Sequence, residues 1–330
     1  MPRPNVRALA VLLALLAGAC TGLRKSQVEA GLLALPKNAA LAARGIERKR
    51  ASIVLEGEPH ELELSWIHVP ARAGAHARPL VFVHGTPSTM FNWSALLFQP
   101  GAEPALAGEC EIYVLDVLGH GQSRASAPPY SFQRCADFVR GFLETLDLHD
   151  VTLVGQSYGG EFAWRAALDA PERVSRLVLI DSSGHQRPAH GWLPEEEQLR
   201  HLPGARFGYL LNSRERLRPA LQLHFQEPLT HDQLEELYLC CENPDNWLAM
   251  TQLCCDENGT REAEIAHIRQ PTLLLWGARD IAYPPARDGE RFQREIVGSK
   301  LLVLPQAGHY PHEERVDEVR RALREFHLGI

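Results

Sequence analysis

The sequence has no excess of positive charge, no internal repeat, no low-complexity block and no apolar run long enough to cross a membrane comfortably. With 34 Lys+Arg against 41 Asp+Glu, a formal net charge of -7 and a pI near 6.1, the whole-chain balance gives no reason to expect nucleic acid or an anionic membrane surface as partner. No C-x-x-C pair occurs among the seven cysteines, which excludes the familiar zinc frameworks. A Walker lysine is missing. The glycine-rich stretch Gly119-His120-Gly121-Gln122-Ser123 does not complete G-x-G-x-x-G at a helix start, so a phosphate loop is excluded as well. What is there is 330 residues, 45% of them hydrophobic, enough for one large domain with an insertion.

The first twenty residues have the charged, apolar and small-residue order of a secretory signal: Arg3 and Arg7, then Ala8 to Ala17, then Gly18-Ala19-Cys20. Because the small residues end on cysteine, the segment resembles a bacterial lipoprotein signal, in which Cys20 is lipidated and becomes the new N-terminus. That resemblance predicts export and membrane anchoring in a bacterial cell envelope. Ala17 stands where such signals usually carry leucine. An ordinary cleaved signal, an uncleaved anchor and an incidental apolar start are the other readings. Residues 21–51 mix small and basic side chains and read as a tether or peripheral helices.

From Ser52 the pattern turns β-rich. Apolar or alternating runs at Ile53–Leu55, Leu62–Val69, Pro79–Val83, Glu111–Leu115, Val151–Val154, Arg176–Asp181, Thr272–Trp276 and Lys300–Leu304 predict strands. Helical spacing appears after Ser131 (Phe132, Cys135, Phe138, Val139, Phe142, Leu143), over Glu161–Leu168, and at the close (Val316, Val319, Leu323, Phe326). Strands alternating with helices predict an α/β fold with a mostly parallel sheet and helices on both faces. Between His185 and Gln270 this rhythm lapses into short helical segments broken by prolines. There, 14 Asp+Glu face 8 Arg and no Lys, a net of -6. The expected division is therefore a core of residues 52–184 and 271–330, with a helical lid over 185–270 inserted after the sixth strand.

One stretch concentrates the chemistry. Val151-Thr152-Leu153-Val154 feeds Gly155-Gln156-Ser157-Tyr158-Gly159-Gly160, and a helix-forming run follows, which is the form of a nucleophile elbow. A serine hydroxyl is a poor nucleophile at neutral pH, so Ser157 needs a base, and the base needs an orienting acid. His309 follows the last predicted strand and Asp280 the one before it. Both stand at carboxyl ends of strands, where sites form in parallel sheets. Asp181 ends a strand too and is the alternative acid. His84 reads as a brace for its loop. Cys240, Cys241, Cys254 and Cys255 read as packed or disulfide-bonded lid residues, since adjacent cysteines cannot easily place both sulfurs on one tetrahedral ion.

The order Ser…Asp…His, together with His84-Gly85-Thr86-Pro87, Asp116 through Ser123, Trp276-Gly277-Ala278-Arg279-Asp280 and Gly308-His309, resembles the α/β-hydrolase superfamily across residues 52 to 328. The resemblance is to its lidded serine branch of carboxylesterases, carbon–carbon bond hydrolases and haloperoxidase-like enzymes. It implies the α/β-hydrolase fold, a catalytic triad of Ser157, Asp280 and His309, and an oxyanion hole made by the backbone N–H groups of Thr86 and Tyr158. No cofactor or metal is implied. The expected function is cleavage of a carboxylic ester, with an apolar acyl or aryl ester as the small-molecule substrate. The alternatives are a carbon–carbon bond hydrolase or haloperoxidase-like enzyme with the same triad, and a non-catalytic binding protein on this fold.

Overall fold

The computed structural model describes residues 24–329 apart from 74–75, 100, 102–104, 126–127, 189–190 and 203. The signal expected over residues 1–20, Cys20 included, lies outside the described residues. Eight strands form one sheet: β1 (Arg48–Ile53), β2 (Leu62–Val69), β3 (His76–Val83), β4 (Cys110–Leu115), β5 (Val151–Gln156), β6 (Val174–Ile180), β7 (Thr272–Gly277) and β8 (Lys300–Leu304). Their spatial order is β1-β2-β4-β3-β5-β6-β7-β8. β1 and β2 join antiparallel, and every pairing from β4 to β8 is parallel. This is the mostly parallel sheet of an α/β-hydrolase fold. Its middle strands are buried on both faces, and every residue of β5 and β7 is buried, which is why they read as continuous apolar runs rather than alternating ones.

Alternation along β3 shows how the two faces are filled. Val81 and Val83 enter one hydrophobic core and Leu80 and Phe82 the other, as a side-chain period of two requires. On the first face pack helices α1 (Phe132–Thr145) and α2 (Tyr158–Asp169), through Phe138, Phe142, Phe162 and Trp164. Ser131 caps α1 by accepting from Arg134 N–H. On the second face pack the short helix Ser94–Phe98 and α3 (Val316–Leu328), with Leu96, Val319 and Leu323 buried together. The helical segment 24–34, the bend at Leu35 and the helix Pro36–Ala43 add Val28, Leu32, Leu35 and Leu41 to that core. No helix of the described residues is long and apolar enough to cross a membrane.

β1 begins at Arg48, inside the segment read as a tether, rather than near Ser52. Its edge position accounts for this: Arg48 is ion-paired with Glu29, and charged side chains suit an edge strand that must not recruit another chain. Between β6 and β7 the chain leaves the sheet and builds Pro194–His201, Arg214–Gln222, His231–Glu242 and Pro244–Asp256, with a 3-10 helix over Ala205–Leu211. Cys240, Cys241 and Cys254 are buried there and Cys255 is exposed, all as free thiols. Of the two expected states, the packed one is found for Cys240, Cys241 and Cys254 and neither for the exposed Cys255.

Candidate active site

Ser157 occupies the single-residue turn between β5 and α2 with φ 55 and ψ -126. A side chain with φ in this region is strained, and the surrounding backbone must hold it there. It does so through Ser157 N–H to Ile180 O at 3.0 Å, Gly160 N–H to Ser157 O at 2.9 Å and Ser183 N–H to Ser157 O at 3.2 Å. The turn also needs room. A methyl group on Gly159 would stand 2.3 Å from the carbonyl oxygen of His84, and one on Gly85 would stand 2.7 Å from Ser157 Cβ. The loop after β3 therefore lies directly against the serine.

The loops after β7 and β8 bring their residues to the same edge. His309 Nδ1 lies 2.9 Å from Asp280 Oδ2, and both side chains are buried. Gln156, the residue before the serine, donates its amide to His309 O at 2.9 Å, which fixes the histidine loop to the end of β5. Burial disfavours the Asp280 charge. The His309 ring, its hydrogen bond and the N–H groups of Tyr283 and Ala282 outweigh burial and hold the carboxyl below the usual range. Asp181 behaves in the opposite way. It accepts from Gly277 N–H at 2.9 Å and lies within 4.8 Å of Asp280 and His309. Burial first and the Asp280 charge second push its carboxyl well above the usual range. Of the two candidate acids, Asp280 is the one bonded to His309, and Asp181 is the neighbour whose carboxyl is pushed up.

His84 spans two loops. Its Nδ1–H donates to Gly85 O at 2.7 Å and its Nε2 accepts from Val117 N–H at 3.1 Å, and burial lowers its pKa to about 3. His120 is likewise held neutral, lowered to about 4 chiefly by burial, with its Nε2 2.8 Å from the Thr86 hydroxyl. Two neutral, hydrogen-bonded imidazoles thus brace the loop that carries Thr86. The arrangement as a whole presents a strained serine, a carboxylate-bonded imidazole and a braced loop at one sheet edge.

The sequence model of the alpha/beta hydrolase fold matches residues 78–316, which takes in Ser157, Asp280 and His309. The chain belongs to the alpha/beta hydrolase family. It is 30% identical over 266 residues to an uncharacterized hydrolase of Bacillus subtilis, covering 75% of this chain and 89% of that one. It is 28% identical over 260 residues to 2-hydroxymuconate semialdehyde hydrolase of a Pseudomonas species, covering 75% and 86%. Among solved structures it is similar to a membrane phospholipase A described as a bacterial virulence factor, at 26% identity, with 98% of each chain covered and a TM-score of 0.71.

This alpha/beta hydrolase also carries a buried polar network beside Ser157, Asp280 and His309 that no sequence motif marks. Glu257 accepts from Tyr158 OH at 2.8 Å, from Arg187 Nε at 2.8 Å and from Tyr283 OH at 3.0 Å. Arg187 further donates to Tyr283 OH at 2.6 Å and to Glu196 at 2.7 Å. Tyr158 follows the serine and Tyr283 follows Asp280 by three residues, so the network ties the insertion to both ends of the site. The insertion closes in a second way: His224 O accepts from His309 N–H at 2.7 Å, and the Phe225 ring stacks on Tyr310 at 4.7 Å. The signal available in the sequence was position alone, since Arg187 and Tyr283 both lie just past strand ends.

Proposed function

We propose that this hydrolase cleaves carboxylic esters with apolar acyl groups through an acyl-enzyme at Ser157. The hydrogen bond between His309 and Asp280, at the edge where Ser157 is held in its strained turn, carries the reading. His309 Nε2 takes the Ser157 proton as Oγ adds to the ester carbonyl. The oxyanion is received by the N–H groups of Tyr158, at the unpaired start of α2, and Thr86. Collapse expels the alcohol, which leaves with the proton from His309. Water then adds to the acyl-enzyme by the same route and releases the acid. Asp280 keeps Nδ1 protonated and stabilises the imidazolium.

The substrate reading rests on what the insertion brings to His309. Leu221, Phe225, Leu229, Leu234 and Leu237 form an apolar cluster with Tyr310, a surface suited to an acyl or aryl group rather than a charged one. Likeness over nearly the whole chain to a membrane phospholipase A adds membrane lipid esters to the candidates. A panel of esters graded in acyl length, with a vinylogous diketone alongside, tests the proposal. Ester turnover that rises with apolar chain length and is lost in Ser157→Ala is expected. Turnover of the diketone alone would transfer the reading to carbon–carbon bond hydrolysis, and turnover of neither would leave a binding protein.

We further propose that the chain is exported and held at a bacterial envelope membrane by lipid on Cys20. The order of residues 3–20 supports this. Cys20→Ser is expected to weaken association with the membrane fraction, and unchanged association would reject the lipid anchor.

A further inference from the structure

The whole-chain charge conceals a basic stretch. Within the acidic insertion, residues 200–218 hold five arginines (200, 206, 214, 216, 218) against the single glutamate Glu215. The same stretch carries the densest group of exposed apolar side chains: Leu202, Phe207, Leu210 and Leu211 are 58%, 51%, 57% and 67% exposed. Scattered apolar residues on a surface need no explanation, but four within ten residues call for an occupant.

The 3-10 helix turns two of them outward together. In a 3-10 helix, side chains three apart share a face, which aligns Phe207 with Leu210. Gly208 between them lies against the Trp247 indole, whose Nε1–H donates to Ala205 O at 2.7 Å, so the other side of the helix is fixed to the insertion. The Arg206 guanidinium lies 4.8 Å from the Phe207 ring centre, and Arg216 Nη1 donates to Leu211 O at 3.4 Å. Apolar side chains rimmed by arginines on a rigid turn match the boundary between acyl chains and anionic headgroups.

The N-terminus points to the same occupant. Arg24, the first described residue, donates to Tyr209 O at 3.1 Å, lies over the Tyr209 ring and pairs with Glu242. Cys20 precedes it by four residues, a span that reaches at most about 14 Å. Arg24 thus fixes the start of the described chain beside the exposed turn. We propose that the face carrying Leu202, Phe207, Leu210 and Leu211 is a membrane contact, docking the insertion onto an anionic phospholipid bilayer.

The test uses the full chain carrying Ser157→Ala, so vesicle lipids survive and the outcome is independent of the ester reading. Phe207→Trp is added, and the protein is bound to phosphatidylglycerol–phosphatidylcholine vesicles containing brominated lipid. Tryptophan quenching beyond that of the Phe207 parent is expected, and it should vanish when Leu210→Asp and Leu211→Asp are added. In a second arm, Arg206→Ser with Arg216→Ser should weaken binding to phosphatidylglycerol vesicles by about thirtyfold, at roughly 1 kcal/mol per arginine, while binding to pure phosphatidylcholine changes little. No excess quenching, or unchanged binding in the arginine variant, would overturn the proposal. So would a dimer in vesicle-free solution that the aspartates dissociate, because the face would then belong to a second copy of the chain.

Discussion

Asp181 and Asp280 are buried carboxyls within 4.8 Å of each other, and their surroundings push the first up and hold the second down. The difference comes from partners. Asp280 faces His309 and two backbone N–H groups, whereas Asp181 faces burial and its charged neighbour. Asp280, bonded to His309, is the acid we propose to orient it, with Asp181 behind it.

This relationship sets a pH dependence. A carboxyl whose folded pKa is raised retains a proton that the unfolded chain loses above about pH 3.9. Its stabilising contribution is therefore fully present below that pH and falls as pH rises toward the folded value. An asparagine in place of Asp181 would keep the acceptor for Gly277 N–H without a charge. Asp181→Asn should melt above wild type at about pH 8, with the advantage shrinking toward about pH 4. In kinetics it should remain within about tenfold of wild type, while Asp280→Asn should lose about four orders of magnitude in kcat. The opposite ranking would make Asp181 the orienting acid.

Gly159 tests the elbow packing. An added methyl would meet His84 O at 2.3 Å and Val83 O at 2.4 Å, both backbone atoms that cannot swing aside. Gly159→Ala should cost about 1–3 kcal/mol and reduce hydrolysis by displacing the start of α2 from the serine. Chemical denaturation alongside kcat measures both, and wild-type values in each would contradict the packing described.

Arg187 tests the network. Its removal leaves Glu257 buried without its cation, a situation that costs about 3–5 kcal/mol where it has been measured. Arg187→Ala should lose stability on that scale, and adding Glu257→Gln should recover part of it. A loss below about 1 kcal/mol would show that the network is dispensable.

The parts of this molecule legible in its sequence are those written in neighbouring residues. The run Val151–Val154 reads as a central strand because it is buried on both sides, and the glycines around Ser157 mark a tight turn because backbone must pass there. Asp280 and His309 were readable from their places after strands. Choosing Asp280 over Asp181 took the hydrolase-like motif or the hydrogen bond itself, since both end strands. The start of β1 was hidden because an edge strand tolerates Arg48 and Arg50. Arg187, Glu257 and Tyr158 were beyond reach for another reason: their bonds span 70 and 99 residues, and no local pattern encodes such a pairing. The exposed turn at Phe207 shows the same limit, since average charge conceals a local patch.

We propose that Ser157 is a nucleophile activated by His309 and Asp280. A fluorophosphonate probe measures this directly, because it reacts with an activated serine and leaves a stable adduct. Labelling of the wild-type protein at a single site mapped to Ser157, absent in Ser157→Ala and strongly reduced in His309→Ala, is the predicted result. An unlabelled wild type, or equal labelling of Ser157→Ala, would contradict the account.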